Sequence, residues 1–261
     1  GAAILPAGRR LGPQELALAA AAALDRLPVR ARLRVAVLST GDELAPPGAP
    51  APPHRTYDAN RPMLLELMRR WDMAAVDLGI AADDPRAVAA ALDRGAAEAD
   101  AILTSGGASA GDEDHVSRLL RERGRLDAWR IALKPGRPLA LGTWRGVPVF
   151  GLPGNPVAAF VCALIVVRPA LGLLGGAGWI EPEATVVPAA FAKAKKAGRR
   201  EFLRARLTPE GAAEVFASEG SGRVSGLAWA RGLVELGDGA REVAPGDPVR
   251  YLPFAGFGLG A

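Results

Sequence analysis

The sequence predicts an α/β protein: a three-layer, doubly wound domain on a mostly parallel sheet, followed by a small all-β, barrel-like domain. Three observations carry this. From about Leu33 onward, short apolar runs alternate with longer helical stretches, the pattern of βαβ units. Several runs, Val35-Ala36-Val37-Leu38 among them, are apolar without a break, as strands covered on both faces are. After Gly175-Gly176-Ala177-Gly178 the helical pattern gives way to short strand-like segments between turns rich in Gly and Pro.

Taken in order, residues 1–30 read as the remnant of a neighbouring domain. A turn at Leu5-Pro6-Ala7-Gly8 precedes a helix opened by Gly12-Pro13 and running to about Leu27, before Pro28. Residues 31–176 form the predicted α/β domain. Its strands are expected at Arg34–Thr40, Ala74–Ile80, Asp100–Ser105, Ala128–Leu133, Leu139–Leu141 and Val147–Phe150. Its helices are expected at Asn60–Trp71, Pro85–Ala97, Val116–Arg123 and Pro156–Leu174. Residues 177–261 form the predicted β domain, with strands at Thr185–Phe191, Glu201–Leu207, Glu214–Ser218, Leu233–Leu236 and Pro248–Tyr251 and no further helix.

The bulk numbers exclude several classes. In 261 residues, 49% hydrophobic content is too high for a disordered chain. The net charge of +4 comes from scattered arginines without interleaved aromatic residues, which argues for mild attraction of anionic small molecules and against nucleic acid. Cys162 is the one cysteine, so the chain has no disulfide framework, and its apolar surroundings mark a buried, inert thiol. The apolar run Val157–Val167 is short for a bilayer and ends at Arg168. No secretory leader pattern occurs, and a soluble, reducing, cytoplasmic setting is the expectation.

In a parallel sheet the ligand crevice lies beyond the carboxyl ends of the strands. Four loops are predicted to leave strands at that edge, all rich in glycine or acids: Ser39-Thr40-Gly41-Asp42-Glu43-Leu44, Gly79 to Pro85, Ser105 to His115, and Gly151-Leu152-Pro153-Gly154-Asn155-Pro156. In the third, Gly106, Gly107 and Gly111 would let an anion approach the backbone, while Asp112, Glu113 and Asp114 would repel it unless a cation lay between. A phosphate-bearing ligand held with a divalent metal such as Mg²⁺ satisfies both; a tight turn with an acidic helix cap is the plain alternative. Asp84-Pro85 and Asn155-Pro156 repeat the pattern of a cap followed by proline, which makes Asp84 and Asn155 caps first. Asp83 has no capping duty, so Glu43, Asp83 and Asp114 are the candidate functional acids, and crowded carboxylates call for a metal. Lys134-Pro135-Gly136-Arg137-Pro138 sets two cations beside the same crevice, suited to an oxyanion. His54 and His115 stand isolated in the sequence.

These motifs, with Tyr57-Asp58-Ala59-Asn60, occur in the order seen in the molybdopterin molybdenumtransferase family, enzymes of molybdenum cofactor synthesis related to the E domain of gephyrin. The chain resembles that family over essentially its whole length. The resemblance implies that adenylylated molybdopterin binds the α/β domain. Molybdate insertion is then coupled to Mg²⁺-dependent cleavage of the adenylyl group and release of AMP. It implies Glu43, Asp83 and Asp114 as metal-holding catalytic acids and Lys134 as a catalytic lysine at the oxyanion. Substrate contacts fall to Thr40, Gly41, Asp42, Asp58, Asn60, Ser105, Gly106, Gly107, Ser109, Gly111, Asp112, Pro153, Gly154 and Asn155. Arg204 and Ser221 look like the pair that contacts molybdate. Where the family often has a serine the chain has Ala158, and Arg130 replaces a lysine. The family carries further N-terminal segments, of which residues 1–30 resemble the end of a linker or dimerisation domain. A homodimer and contacts with a molybdopterin adenylyltransferase and with molybdoenzymes are the implied partners, with no nucleic acid and no membrane. An adenylyltransferase-type enzyme and a non-catalytic molybdopterin-binding scaffold are the alternative readings.

Overall fold

Val35–Leu38 alternates between two cores, and that alternation builds the three layers. In the computed structural model, which describes residues 3–50, 52–106, 115–218, 220 and 222–260, Val35 and Val37 pack with Leu64, Met68, Val161 and Leu164. Ala36 and Leu38 face the other way, against Val88, Leu92, Val116 and Leu120. A strand apolar at every position is thus covered twice.

The chain opens with α1 (Pro13–Ala21), shorter than the helix to Leu27 that composition suggested; Ala23 takes φ +60°, which ends the helical path. There follow β1 (Arg34–Thr40), β2 (Leu44–Ala45), β3 (Thr56–Tyr57), α2 (Asn60–Arg70), β4 (Ala74–Ala81), α3 (Pro85–Glu98), β5 (Ala101–Ser105) and α4 (His115–Arg123). Then come β6 (Arg125–Trp129), β7 (Leu133–Lys134), β8 (Ala140–Trp144), β9 (Val147–Leu152), α5 (Pro156–Cys162) and α6 (Arg168–Gly175). A π-helical turn, Ala163–Val167, joins the last two into one helix that continues past Arg168, whose guanidinium lies over the Phe257 ring. By length and composition this helix could cross a membrane, yet 67% of it is buried inside the fold, as core helices are.

The first sheet runs β4-β1-β5-β9-β8-β6. The pairs β1–β4, β1–β5 and β5–β9 are parallel, whereas β8–β9 and β6–β8 are antiparallel, so the sheet is mixed at one side. In place of the strands expected at Ala128–Leu133 and Leu139–Leu141, the sheet contains Arg125–Trp129 and Ala140–Trp144. Arg130 takes φ +69°, the chain leaves the sheet, and Leu133–Lys134 pairs instead with the second sheet.

That second sheet contains β10 (Thr185–Pro188), β12 (Arg200–Leu207), β13 (Ala213–Val215), β14 (Gly232–Leu236) and β16 (Pro248–Pro253) in the order β10-β16-β14-β12-β13. A parallel bridge between Ala189 and Ala213 ties its two edges together, which makes it barrel-like. β11 (Lys193–Lys195) and β15 (Arg241–Val243) form a separate ribbon. A short helix, α7 (Ser225–Trp229), overturns the expectation that helices cease after Gly178.

Candidate functional site

Strand register places the carboxyl ends of β1, β4, β5 and β9 level with one another: Thr40 pairs with Ala81, Ser39 with Ser105, and Ser105 with Leu152. The loops that follow are laced together. Gly41 N donates to Ala81 O at 3.3 Å, and Asp83 N donates to Asp42 Oδ1 at 3.0 Å. Asn60, at the start of α2, donates through Nδ2 both to Ser105 Oγ at 2.6 Å and to Gly154 O at 2.7 Å, so one amide spans two strand ends. Gly106 takes φ +89° with its Cα edge against the Thr40 carbonyl, where any Cβ would collide. Thr40, Gly41, Asp42, Asn60, Asp83, Ser105, Gly106, Pro153 and Gly154 therefore share one rim. Gly107, Ser109, Gly111, Asp112 and Asp114 lie outside the described residues.

The acids differ in what surrounds them. Asp83 is partly exposed on the rim. Glu43 is exposed, and its carboxylate curls over Gly41, which at φ +138° leaves no room for a side chain of its own. Asp58 is buried, and Oδ1 accepts from the backbone N of Asn60 and Arg61, both at 3.1 Å, while Oδ2 pairs with Arg61 at 3.3 Å. Its acceptors are spent on starting α2 and holding Asn60 in place. Among the described residues, no three acids or imidazoles converge closely enough to hold a metal alone. Two buried polar atoms on the rim, Thr40 Oγ1 and Asn60 Oδ1, have no hydrogen-bond partner among the described residues, and the exposed donors of Glu43 and Asp83 are hard oxygens, the type that suits Mg²⁺.

Lys134 is supplied by a strand paired with the second sheet. It belongs to β7, opposite Glu201 of β12, and its Nζ lies 3.4 Å from Glu201 Oε1. There it lines a pocket of about 190 Å³ beside the second sheet, with Val157 from the start of α5 and Lys193, Arg204 and Ser218 from the β domain. Lys193 Nζ lies 3.4 Å from the other oxygen of the buried Glu201. Arg204 is buried, donating to the carbonyls of Arg223 at 2.8 Å, Gly220 at 3.2 Å and Ser218, with its guanidinium over the Phe216 ring. Burial, and then the charge of Arg223, push its pKa below the ordinary value. Arg204 thus ties together the backbone at Ser218, Gly220 and Arg223; Ser221 lies outside the described residues.

Of the two predicted caps, Asp84 caps α3, accepting from Ala87 N at 2.8 Å. Asn155 makes no capping bond to α5; its Oδ1 faces Gly222 of the β domain. His115 is not isolated: it contacts Asp83 and Arg118. Lys193 and Glu201 went unread as site residues. The only signal was that Glu201 stands three residues before Arg204, while Lys193 sits in a basic run that resembles a solvated strand.

Residues 36–172 match the family model described as "Probable molybdopterin binding domain", and residues 186–254 match "MoeA C-terminal region (domain IV)". Molybdopterin molybdenumtransferase 2 of Mycobacterium tuberculosis is 37% identical over 254 residues, covering 94% of this chain and 62% of the relative. The molybdopterin molybdenumtransferase of Haemophilus influenzae is 32% identical over 259 residues, covering 97% and 64%. The crystal structure of a MoeA molybdopterin biosynthesis protein from Pyrococcus horikosii superposes with a TM-score of 0.81 at 29% identity, covering 95% of this chain and 61% of that one. The chain spans less than two thirds of the length of these relatives. With both models matched in order and the same two-part fold, the chain belongs to the family of "Probable molybdopterin binding domain" proteins, in the branch that carries a MoeA-type C-terminal region.

Proposed function

We propose that this chain carries the catalytic portion of a molybdopterin molybdenumtransferase, inserting molybdenum into adenylylated molybdopterin with Mg²⁺-dependent loss of AMP. The observation that carries the reading is the pairing of two unlike surfaces. A rim of glycines and carboxylates at the strand ends adjoins a separate pocket in which Lys134, Lys193 and Arg204 outnumber the one acid, Glu201. A phosphate-linked pterin fits the first surface and a tetrahedral oxyanion the second. Glu43, Asp83 and Asp114 would hold Mg²⁺, which when bound would offset charge on the phosphate oxygens. Asn60 keeps the β5 and β9 loops in register for the ligand, and Thr40 and Ser105 offer hydroxyls to it. Lys134 and Ser221 would contact the oxyanion, while Arg204 supplies positive charge and fixes the loop. A homodimer, and contacts with a molybdopterin adenylyltransferase, belong to the same proposal.

The test is to supply adenylylated molybdopterin, molybdate and Mg²⁺ and to measure AMP. Saturable binding without AMP release would instead support the carrier reading. Asp114→Asn is expected to abolish AMP release while leaving the thermal unfolding temperature unchanged; unaltered turnover would make Asp114 a helix cap only. Arg204→Ala is expected to raise the molybdate concentration needed for half-maximal rate more than it slows nucleotide cleavage. Equal damage to both would contradict two separate surfaces.

A further inference from the structure

Behind Asp83 stands a buried histidine that none of the ligand readings uses. His115 opens α4 and is 8% exposed. Arg118, one turn further along, places Nη2 2.7 Å from His115 Nδ1. A guanidinium has donors and no acceptor, so Nδ1 must accept, and the neutral ring carries its proton on Nε2. Nε2 in turn lies 3.2 Å from Asp83 Oδ1 and 3.1 Å from the Asp83 carbonyl oxygen. With Asp83 N bonded to Asp42 Oδ1 at 3.0 Å, the residue is held through its amide, its carbonyl and one carboxylate oxygen. No described residue engages Oδ2.

We propose that His115 is a positioning residue for Asp83, its tautomer fixed by Arg118, so that Asp83 presents its remaining carboxylate oxygen to the rim in a set orientation. The inference rests on the reading of Asp83 as a metal-holding acid. A carboxylate ligand held by an outer hydrogen bond binds a cation without first paying to order itself, and loss of such a partner typically weakens metal affinity by about 10–100-fold.

Two measurements test it on the full chain. Long-range ¹H–¹⁵N NMR, with the ring in its neutral form, should show the Nε2–H tautomer for His115, with the resonance identified by its loss in His115→Gln. Arg118→Met should convert it to a tautomer mixture. An Nδ1–H tautomer in the wild type would overturn the proposal. Separately, Mn²⁺ alone is titrated and followed by electron paramagnetic resonance. Asp83→Asn should abolish tight binding, His115→Ala should weaken it by about 10–100-fold, and His115→Gln, whose amide can still donate, should recover part of the loss. If Asp83→Asn weakens Mn²⁺ and neither His115 variant does, the positioning role is wrong and the metal reading of Asp83 stands. If Asp83→Asn binds Mn²⁺ as the wild type does, or neither binds it, the metal reading fails and takes this inference with it.

Discussion

Asn60 is the single side chain on which the shape of the rim depends most directly. Its amide joins Ser105 and Gly154, 45 and 94 residues away in sequence, and it is itself held by Asp58. Asn60→Ala would strand the buried Ser105 hydroxyl and the Gly154 carbonyl, and the expected cost is about 1–3 kcal/mol. A denaturation midpoint equal to that of the wild type would contradict this. Cys162 gives a second prediction. Burial beside Gly136 pushes its thiol up to about 12, so at about pH 8 roughly one thiol in ten thousand is ionised. Alkylation of Cys162 should therefore require opening of the fold, and its rate should rise with denaturant in step with the equilibrium population of the open form; a native-state rate near that of a free thiol would contradict the burial. Both residues also mark what a sequence discloses at this scale. The buried, inert thiol was legible because apolar neighbours surround it in the chain itself. The clamps on Asn60 and the contact from His115 to Asp83 were not, because their partners become neighbours only when strand ends are set level.

Secondary structure was most legible where one element explains its own burial. Val35–Leu38 is apolar on both sides and lies between two helical layers, and Pro85 and Pro156 mark helix starts that fold as expected. The stretch from Ala128 to Leu141 was misread because its apolar pattern is continuous while its path is not. Arg130 at φ +69° turns the chain out of one sheet, and the two residues of β7 find their partner 67 residues later. Local pattern carries no signal for such a short, distant pairing. The hairpin β8–β9 is pinned to α3 by Asp93, which accepts from Trp144 Nε1 at 2.7 Å and from Arg145 Nε at 2.6 Å. The Arg145 hydrogen bond foremost holds the Asp93 carboxyl below its ordinary value of 3.8. A depressed carboxylate stabilises the fold above its unfolded pKa, and that stability is lost as pH falls through the folded one. Arg145→Gln should thus lower the unfolding temperature at neutral pH, and the gap to the wild type should close well below pH 3.8. A gap that persists in acid would assign the effect to packing of the hairpin.

The two parts of the molecule share a core as well as a pocket. Leu133, Phe202, Leu233, Leu252 and Phe257 pack in the same cluster as Val35, Leu103 and Leu164, so the α/β unit and the barrel-like sheet exclude water together. β7 adds a strand from one unit to the sheet of the other, and Lys134 and Glu201 meet where the strands pair. Units joined only by a mobile linker unfold separately, whereas units that share buried apolar area lose it together. The chain is therefore expected to melt in one calorimetric transition, with van't Hoff and calorimetric enthalpies in agreement. Two resolved transitions in the wild type would show that the seam contributes little. Leu133, 7% exposed, is part of that shared core and lies on β7 itself. Leu133→Ala should cost about 2–5 kcal/mol and split the single transition into two, with the β domain and the α/β unit melting apart. Because Lys134 adjoins Leu133 on β7 while Arg204 lies on β12, the same variant should also weaken tungstate or molybdate binding in the pocket between them. A variant that melts in two steps yet binds the oxyanion as tightly as the wild type would show that the pocket does not depend on the seam.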